Sequence, residues 1–171
     1  RSEFFINGSF FENNQYDAFD GDFVQGIISN TKFFNNGNDA IDISGGVVTI
    51  NDVTINKSRD KGISIGEKSQ VDIRHTTVIG SRIALASKDM SDVSLSNIKI
   101  SDCKYGLIVF QKKSEFGASY ILANNINVNN VERPYLVQKG SQLILDGENI
   151  KFKVNNLQNI INRNETNWNN N

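Results

Sequence analysis

Cysteine occurs once in this sequence, at Cys103, so neither an internal disulfide framework nor a multi-thiolate metal site can be built, and cysteine usage does not decide the compartment. No run of apolar residues approaches the roughly 20 needed to cross a bilayer, and the N-terminal Arg1-Ser2-Glu3-Phe4-Phe5 lacks a signal-peptide profile. An excess of one charge is missing too. The 18 Lys and Arg against 19 Asp and Glu leave a formal net charge of −1, with no global field to recruit nucleic acid or an acidic membrane. There is one histidine, His75, and no phosphate-cradling glycine loop, zinc-ligand spacing or basic patch interleaved with aromatics. Nucleic acid and a membrane span are thus not expected, and partners must be read from local groups.

What is present is a repeat. Ser9 to Asp20 lines up without gaps on Thr31 to Asp42, an offset of 22 residues, and a further 22 reaches Val53 to Ser64. The register continues through segments centred on Val78, Ile100, Val128 and Phe152, which makes about seven coils. Within a coil the apolar residues come in pairs two apart, the period of a strand with one buried face: Val48 and Ile50, Val53 and Ile55, Ile63 and Ile65. Three short strands per coil are predicted. Stacking turns Ile28, Ile50, Ile73 and Leu95 into one buried column, Phe33, Val78, Ile100 and Val128 into a second, and Ile41, Leu85, Leu107 and Tyr135 into a third.

The turn between the first two strands reads Gly8, Asn30, Asp52, His75, Asn97, Asn125 and Asn149, all residue types that tolerate a left-handed backbone. The predicted fold is therefore all-β: a right-handed parallel β-helix of about seven coils with repeats of about 22 residues, spanning 1–161. Residues 162–171, polar and Asn-rich, read as a tail or loose end cap. Because the chain begins directly in strand-like sequence, an upstream part of the same protein is expected.

The ladders, the Asn column and motifs such as Gly37-Asn38-Asp39-Ala40-Ile41-Asp42 resemble the pectate-lyase-like superfamily of right-handed β-helix repeat proteins. Gly66-Glu67-Lys68-Ser69, Ser87-Lys88-Asp89-Met90-Ser91 and the segment from Gln111 to Gly117 are similar to motifs of bacterial β-helix proteins of unassigned activity. The resemblance covers nearly the whole chain. It implies a secreted, cell-surface or periplasmic protein and a polysaccharide partner. It leaves open a recognition or display module, a lyase, epimerase or glycoside hydrolase, and an adhesin or tailspike segment.

The region after the third strand of each coil carries most of the charge and is the expected functional face. Asp17 stacks on Asp39 and Lys61, and Asp20 on Asp42 and Ser64, one coil (about 4.8 Å) apart. Three readings of the carboxylate pairs stand side by side: an acid pair for glycoside hydrolysis at Asp20 and Asp42, a Ca²⁺ site at Asp20, Asp22 and Asp42, or solvated turn acids. A second cluster, Glu67, Lys68, Lys88, Asp89, Lys112, Lys113 and Glu115, forms a mixed-charge groove suited to an anionic sugar. Lys88, Lys112 or Lys113 would serve there as base, and Arg59 or Arg82, with Asp39 nearby, as ligand-binding groups; the same cluster also reads as a surface ion-pair network. His75 is expected in a turn role and Cys103 as a small turn or core residue. No cofactor is required, and calcium is the one candidate ion.

Overall fold

Apolar residues at period two give strands with one buried face, and a constant offset between repeats lets each strand pair in parallel with its equivalent in the next coil. The computed structural model, which describes residues 2–163, has this architecture. The first coil holds β1 (Ser2–Asn7), β2 (Phe10–Glu12) and β3 (Phe19–Asp22); the second, β4 (Val24–Ser29), β5 (Lys32–Asn36) and β6 (Ile41–Ser44). The third holds β7 (Val47–Asn51), β8 (Thr54–Ser58) and β9 (Lys61–Gly66); the fourth, β10 (Gln70–Arg74), β11 (Thr77–Ile79) and β12 (Ile83–Lys88). In the fifth and sixth coils the first two strands merge into β13 (Asp92–Ser101) and β15 (Tyr120–Asn129), each followed by a third strand, β14 (Tyr105–Phe110) and β16 (Arg133–Val137). The chain closes with β17 (Gln142–Leu145), β18 (Glu148–Asn149) and α1 (Leu157–Arg163).

First and second strands form one long sheet, and third strands form a short sheet in the order β16-β14-β12-β9-β6-β3. The predicted first column is present in register, Ile28 on Ile50 on Ile73 on Leu95, each at most 2% exposed. The other two columns match as well: Phe33, Ile55, Val78, Ile100 and Val128, and Ile41, Ile63, Leu85, Leu107 and Tyr135. Gly8, Asn30, Asp52, His75, Asn97 and Asn125 all have positive φ, between 47° and 61°. A second such column, Asn13, Asn35, Lys57, Gly80, Asp102 and Asn130, marks the next corner. Asn97 bends β13 without breaking it, and its amide sits between His75 Nε2 at 3.2 Å and the Asn125 amide at 2.6 Å. Replacing Asn97 by Val, which can neither tolerate that φ nor make either bond, should cost about 1–2 kcal/mol in denaturant unfolding. An unchanged midpoint would remove the turn assignment.

The last coil corrects the sequence register. Asn149 does not continue the turn column, and Phe152 is exposed rather than central to a seventh coil. The chain reverses at Asp146-Gly147, with φ of 48° and 85°, and β18 returns antiparallel on β17. Two successive left-handed residues are what a tight hairpin demands, and Asp146 Oδ1 pins the hairpin to the coil before by accepting the Asn125 N–H at 2.8 Å. Asn156 Oδ1 then caps α1 by accepting the Asn159 N–H. Leu157 and Ile161 pack on Ile83, Tyr105, Ile108, Phe110 and Leu136, an apolar patch on the outer face of the short sheet. The predicted β-helix span of 1–161 thus includes a hairpin and most of a helix. The predicted tail begins inside that helix, and 164–171 fall outside the described residues.

Candidate functional site

Side chains at alternate positions of β3, β6, β9, β12, β14 and β16 point outward from the short sheet. One register column runs Asp20, Asp42, Ser64, Ala86, Ile108 and Leu136. Beside it lie Asp22 and Ser44, then Gly66, Lys88 and Phe110. The face therefore changes chemistry along the solenoid, from carboxylates through a hydroxyl and an ammonium to the apolar patch under α1. Asp20, Asp42 and Lys88 are strand residues of this face, not loop residues as their sequence context suggested.

Lys88 is 8% exposed, and its Nζ donates to Ser64 Oγ at 2.8 Å. Its aliphatic stem passes over Gly66, where a Cβ would lie 3.4 Å from Lys88 Cε. Burial pulls the Lys88 amine below its ordinary value; Lys61 and Lys112 add to that, while Asp42 and Asp39 oppose it. In the adjacent register, Asp42 Oδ1 is buried with no hydrogen-bond partner among the described residues. Asp20 is exposed, and some burial together with Asp22, Asp42 and Asp17 raises its carboxyl above the usual value.

A charged network flanks this cluster at the corner before the third strands. Asp17 Oδ1 accepts the Asp39 N–H at 2.8 Å, and Asp39 Oδ1 accepts the Lys61 N–H at 2.9 Å and its ammonium at 3.4 Å. Lys61 also pairs with Asp60, whose Oδ1 receives Arg82 Nε at 2.8 Å. Arg82 then donates to the Ile161 carbonyl at the end of α1. Burial would raise Asp60, but Lys61 and Arg82 overcome it and hold the carboxyl below its ordinary value. Burial would lower Lys61, and Asp39 and Asp60 hold it above. Asp39 is pushed up to about 6 by burial, which the nearby Lys61 only partly offsets. Both shifts are upward, which favours the charge on Lys61 and disfavours it on Asp39, because Lys61 faces two carboxylates. Asp60, Lys61 and Arg82 form the charged centre, and Asp39 is the member that retains a proton most readily.

The remaining sequence candidates are placed as follows. Asp89 is buried, and its Oδ1 accepts the N–H groups of Lys112 and Lys113 at 2.7 and 2.8 Å, anchoring the loop 111–119. Lys113 pairs with Glu67, and Lys68 lies 5.8 Å from the centre of the Phe116 ring. A constant offset of 22 from Ser69 and Ser91 would set Lys113 in their column, but six extra residues in this loop put Ser119 and Ser141 there, where the buried serines bond from coil to coil. Lys112, Glu115 and Arg59 are exposed at the corners. Asp20 and Asp22 leave β3 on the same side with Asp42 beside Asp20, yet among the described residues no group of three His, Cys, Asp or Glu is placed to hold a metal ion. His75 bridges Asn51 and Asn97. Burial pushes the Cys103 thiol up to about 11, so it is a poor nucleophile. No family model, curated protein or solved structure matches the chain in comparison.

Proposed function

We propose that the protein is a carbohydrate-binding β-helix module acting outside the cell or at its surface, with its site on the outer face of β3, β6, β9 and β12. The observation that carries this reading is unmet polar capacity. Among the described residues Lys88 has one acceptor, Ser64 Oγ, for its three donors, and Asp42 Oδ1 has no donor. A polyhydroxylated ligand offers donors and acceptors together and can satisfy both once the Asp42 carboxylate, whose Oδ1 is buried, turns toward it. A linear polymer lying along the solenoid axis would meet Asp20, Asp42 and Ser64 at intervals of about 4.8 Å, with Lys88 and Lys112 available to a carboxylate. The motif likeness to pectate-lyase-like proteins supports a polysaccharide over a small polyol.

The test is a titration against neutral and acidic glycans, with and without calcium, for the parent, Lys88→Met and Asp42→Asn. Lys88→Met should weaken binding about tenfold or more and at the same time raise stability at neutral pH by about 1 kcal/mol, because a buried ammonium with one hydroxyl partner is costly. The pH dependence has a definite sign. The native Lys88 amine loses its proton below the ordinary value of 10.5, so between the two values the unfolded chain binds more protons and parent stability climbs with pH. The Met variant should lack that climb. A lysine that merely supports the fold would instead lose stability on replacement. Binding that survives both substitutions removes the site from this face. Shortened or unsaturated polyuronate products would convert the module into an enzyme, a reading favoured by the raised Asp20 carboxyl beside Asp42.

A further inference from the structure

The outer face of the long sheet, on the side away from the proposed glycan site, has a composition that changes abruptly. In β8 the outward residues are Thr54 and Asn56, and further along come Thr77 and Ile79, then Lys99 and Ser101. In the first two coils half of the outward residues of β2 and β5 are aromatic, Phe10 at 58% and Phe34 at 37% exposed, and beyond the bend at Gly8 and Asn30, Phe5 is 70% and Ile27, paired with it, 42% exposed. Together these side chains leave roughly 400 Å² of apolar surface exposed, about half of it, from Phe10 and Phe34, on β2 and β5, and exposed aromatics of this kind are frequently an interaction site.

The charges within this patch say what covers it. Phe10 pairs with Lys32 and Glu12 with Phe34, so the four outward side chains form a rectangle with phenylalanines on one diagonal and opposite charges on the other. Neither Glu12 nor Lys32 makes an ion pair among the described residues. A two-fold axis lying along the Phe10–Phe34 diagonal brings each phenylalanine over its own copy and sets Glu12 of each chain opposite Lys32 of the other. With strands about 4.8 Å apart and alternate residues about 6.8 Å apart, that axis lies at roughly 35° to the strands, so the strands of the two copies cross at roughly 70° and the two charged ends lie within about 3 Å in the plane, well inside side-chain reach. The rectangle is self-complementary, the requirement of an isologous interface.

We propose that the protein self-associates into a two-fold dimer through the outer face of β2 and β5, with Phe10 and Phe34 as apolar anchors and reciprocal Glu12–Lys32 pairs fixing the angle. The patch is smaller than the roughly 800 Å² per partner of stable complexes, so the dimer is weak and concentration-dependent. Sedimentation velocity from micromolar to millimolar concentration should show a reversible monomer–dimer equilibrium. Phe10→Ser should leave monomer throughout, with unchanged circular dichroism because Phe10 lies outside the core. Glu12→Lys and Lys32→Glu should each weaken association about tenfold or more by setting like charges against each other, and the double exchange E12K/K32E should restore it. A parent that stays monomeric at millimolar concentration overturns the proposal. A dimer indifferent to the single charge reversals, or one that the double exchange fails to rescue, overturns the stated geometry and with it the assignment to this face.

Discussion

Asp60→Ala should lower unfolding free energy by about 3–5 kcal/mol at neutral pH, the usual cost of removing one partner from a buried charge network. The reason lies in what remains. Arg82 is 5% exposed, and it would keep its charge after losing the carboxylate that receives both Nε and Nη2. Lys61 would lose the stronger of its two acids, and the tie from Arg82 to α1 would loosen as the guanidinium seeks another acceptor. For a chain of this size the loss corresponds to a fall in melting temperature of roughly 10 °C or more. The effect has a pH signature. The Asp60 carboxyl is held below its ordinary value of 3.8, so its stabilisation is present above that pH and is lost as pH falls through the native value. Parent and variant should therefore converge in acid. A variant within about 1 kcal/mol of the parent at pH 7 would show that the network is solvated surface charge.

Gly106→Ala is expected to have the second-largest effect, about 3 kcal/mol, and to act locally. A Cβ at Gly106 would lie 2.3 Å from the Pro134 carbonyl oxygen and 3.1 Å from its carbon, both backbone atoms of the next coil, where no side-chain rotation can relieve the clash. The spacing there is fixed by parallel pairing of β14 with β16, so the methyl group must pry the sixth coil from the fifth. In a solenoid each repeat touches only its neighbours, and the damage stays on one side of the break. Hydrogen exchange should accelerate across β16, β17 and α1 while the amides of β4 to β12 keep their protection. Uniform loss of protection would argue for a single cooperative unit and against the separable-coil picture. Gly62, in the same column, faces the Ala84 carbonyl at 2.7 Å, whereas Ala40 and Ala84 occupy equivalent positions with their methyl groups accommodated.

How far the sequence discloses this molecule depends on whether an interaction keeps to the coil offset. The column from Ile28 to Leu95 is legible because burial, period and offset coincide at every member. The Asp17–Asp39–Lys61 stack is legible for the same reason. The bond from Lys88 to Ser64 joins residues 24 apart and needs a long side chain to cross diagonally over Gly66, a step no column of equivalent positions displays. Lys113 is misplaced by column reading because the loop 111–119 takes up the six extra residues before β15 resumes the register. Phe10 and Phe34 are hidden for another reason: each adjoins an inward phenylalanine, Phe11 or Phe33, and two adjacent aromatics do not announce which one faces solvent. The end of the repeat is the least legible part, since Ile150, Phe152 and Val154 keep the period of a strand after the hairpin at Asp146-Gly147 has already turned the chain out of the solenoid.

The amide ladders on the exterior have an orientation. Asn30, Asn35, Asn38, Asn97, Asn125 and Asn130 each donate from the side-chain nitrogen to the preceding coil, on Asn7, Asn13, Asp17, His75, Asn97 and Asp102. Asn51 is oriented by its bond to Asp52, which turns Asn51 Oδ1 toward His75 and so places the imidazole proton on Nδ1, leaving Nε2 to accept from Asn97. These six amides and the imidazole have their hydrogens toward the first coil and their oxygens or bare nitrogen toward the last, whereas Asn51 donates within its own coil and Asn14 donates the other way, to Asn36. Small dipoles aligned in one sense add, as peptide dipoles do in an α-helix. The solenoid, whose parallel strands lie across its axis, thus acquires an axial dipole from its asparagines, positive at the first coil, where Glu3, Glu12, Asp17, Asp20 and Asp22 supply the matching negative charge.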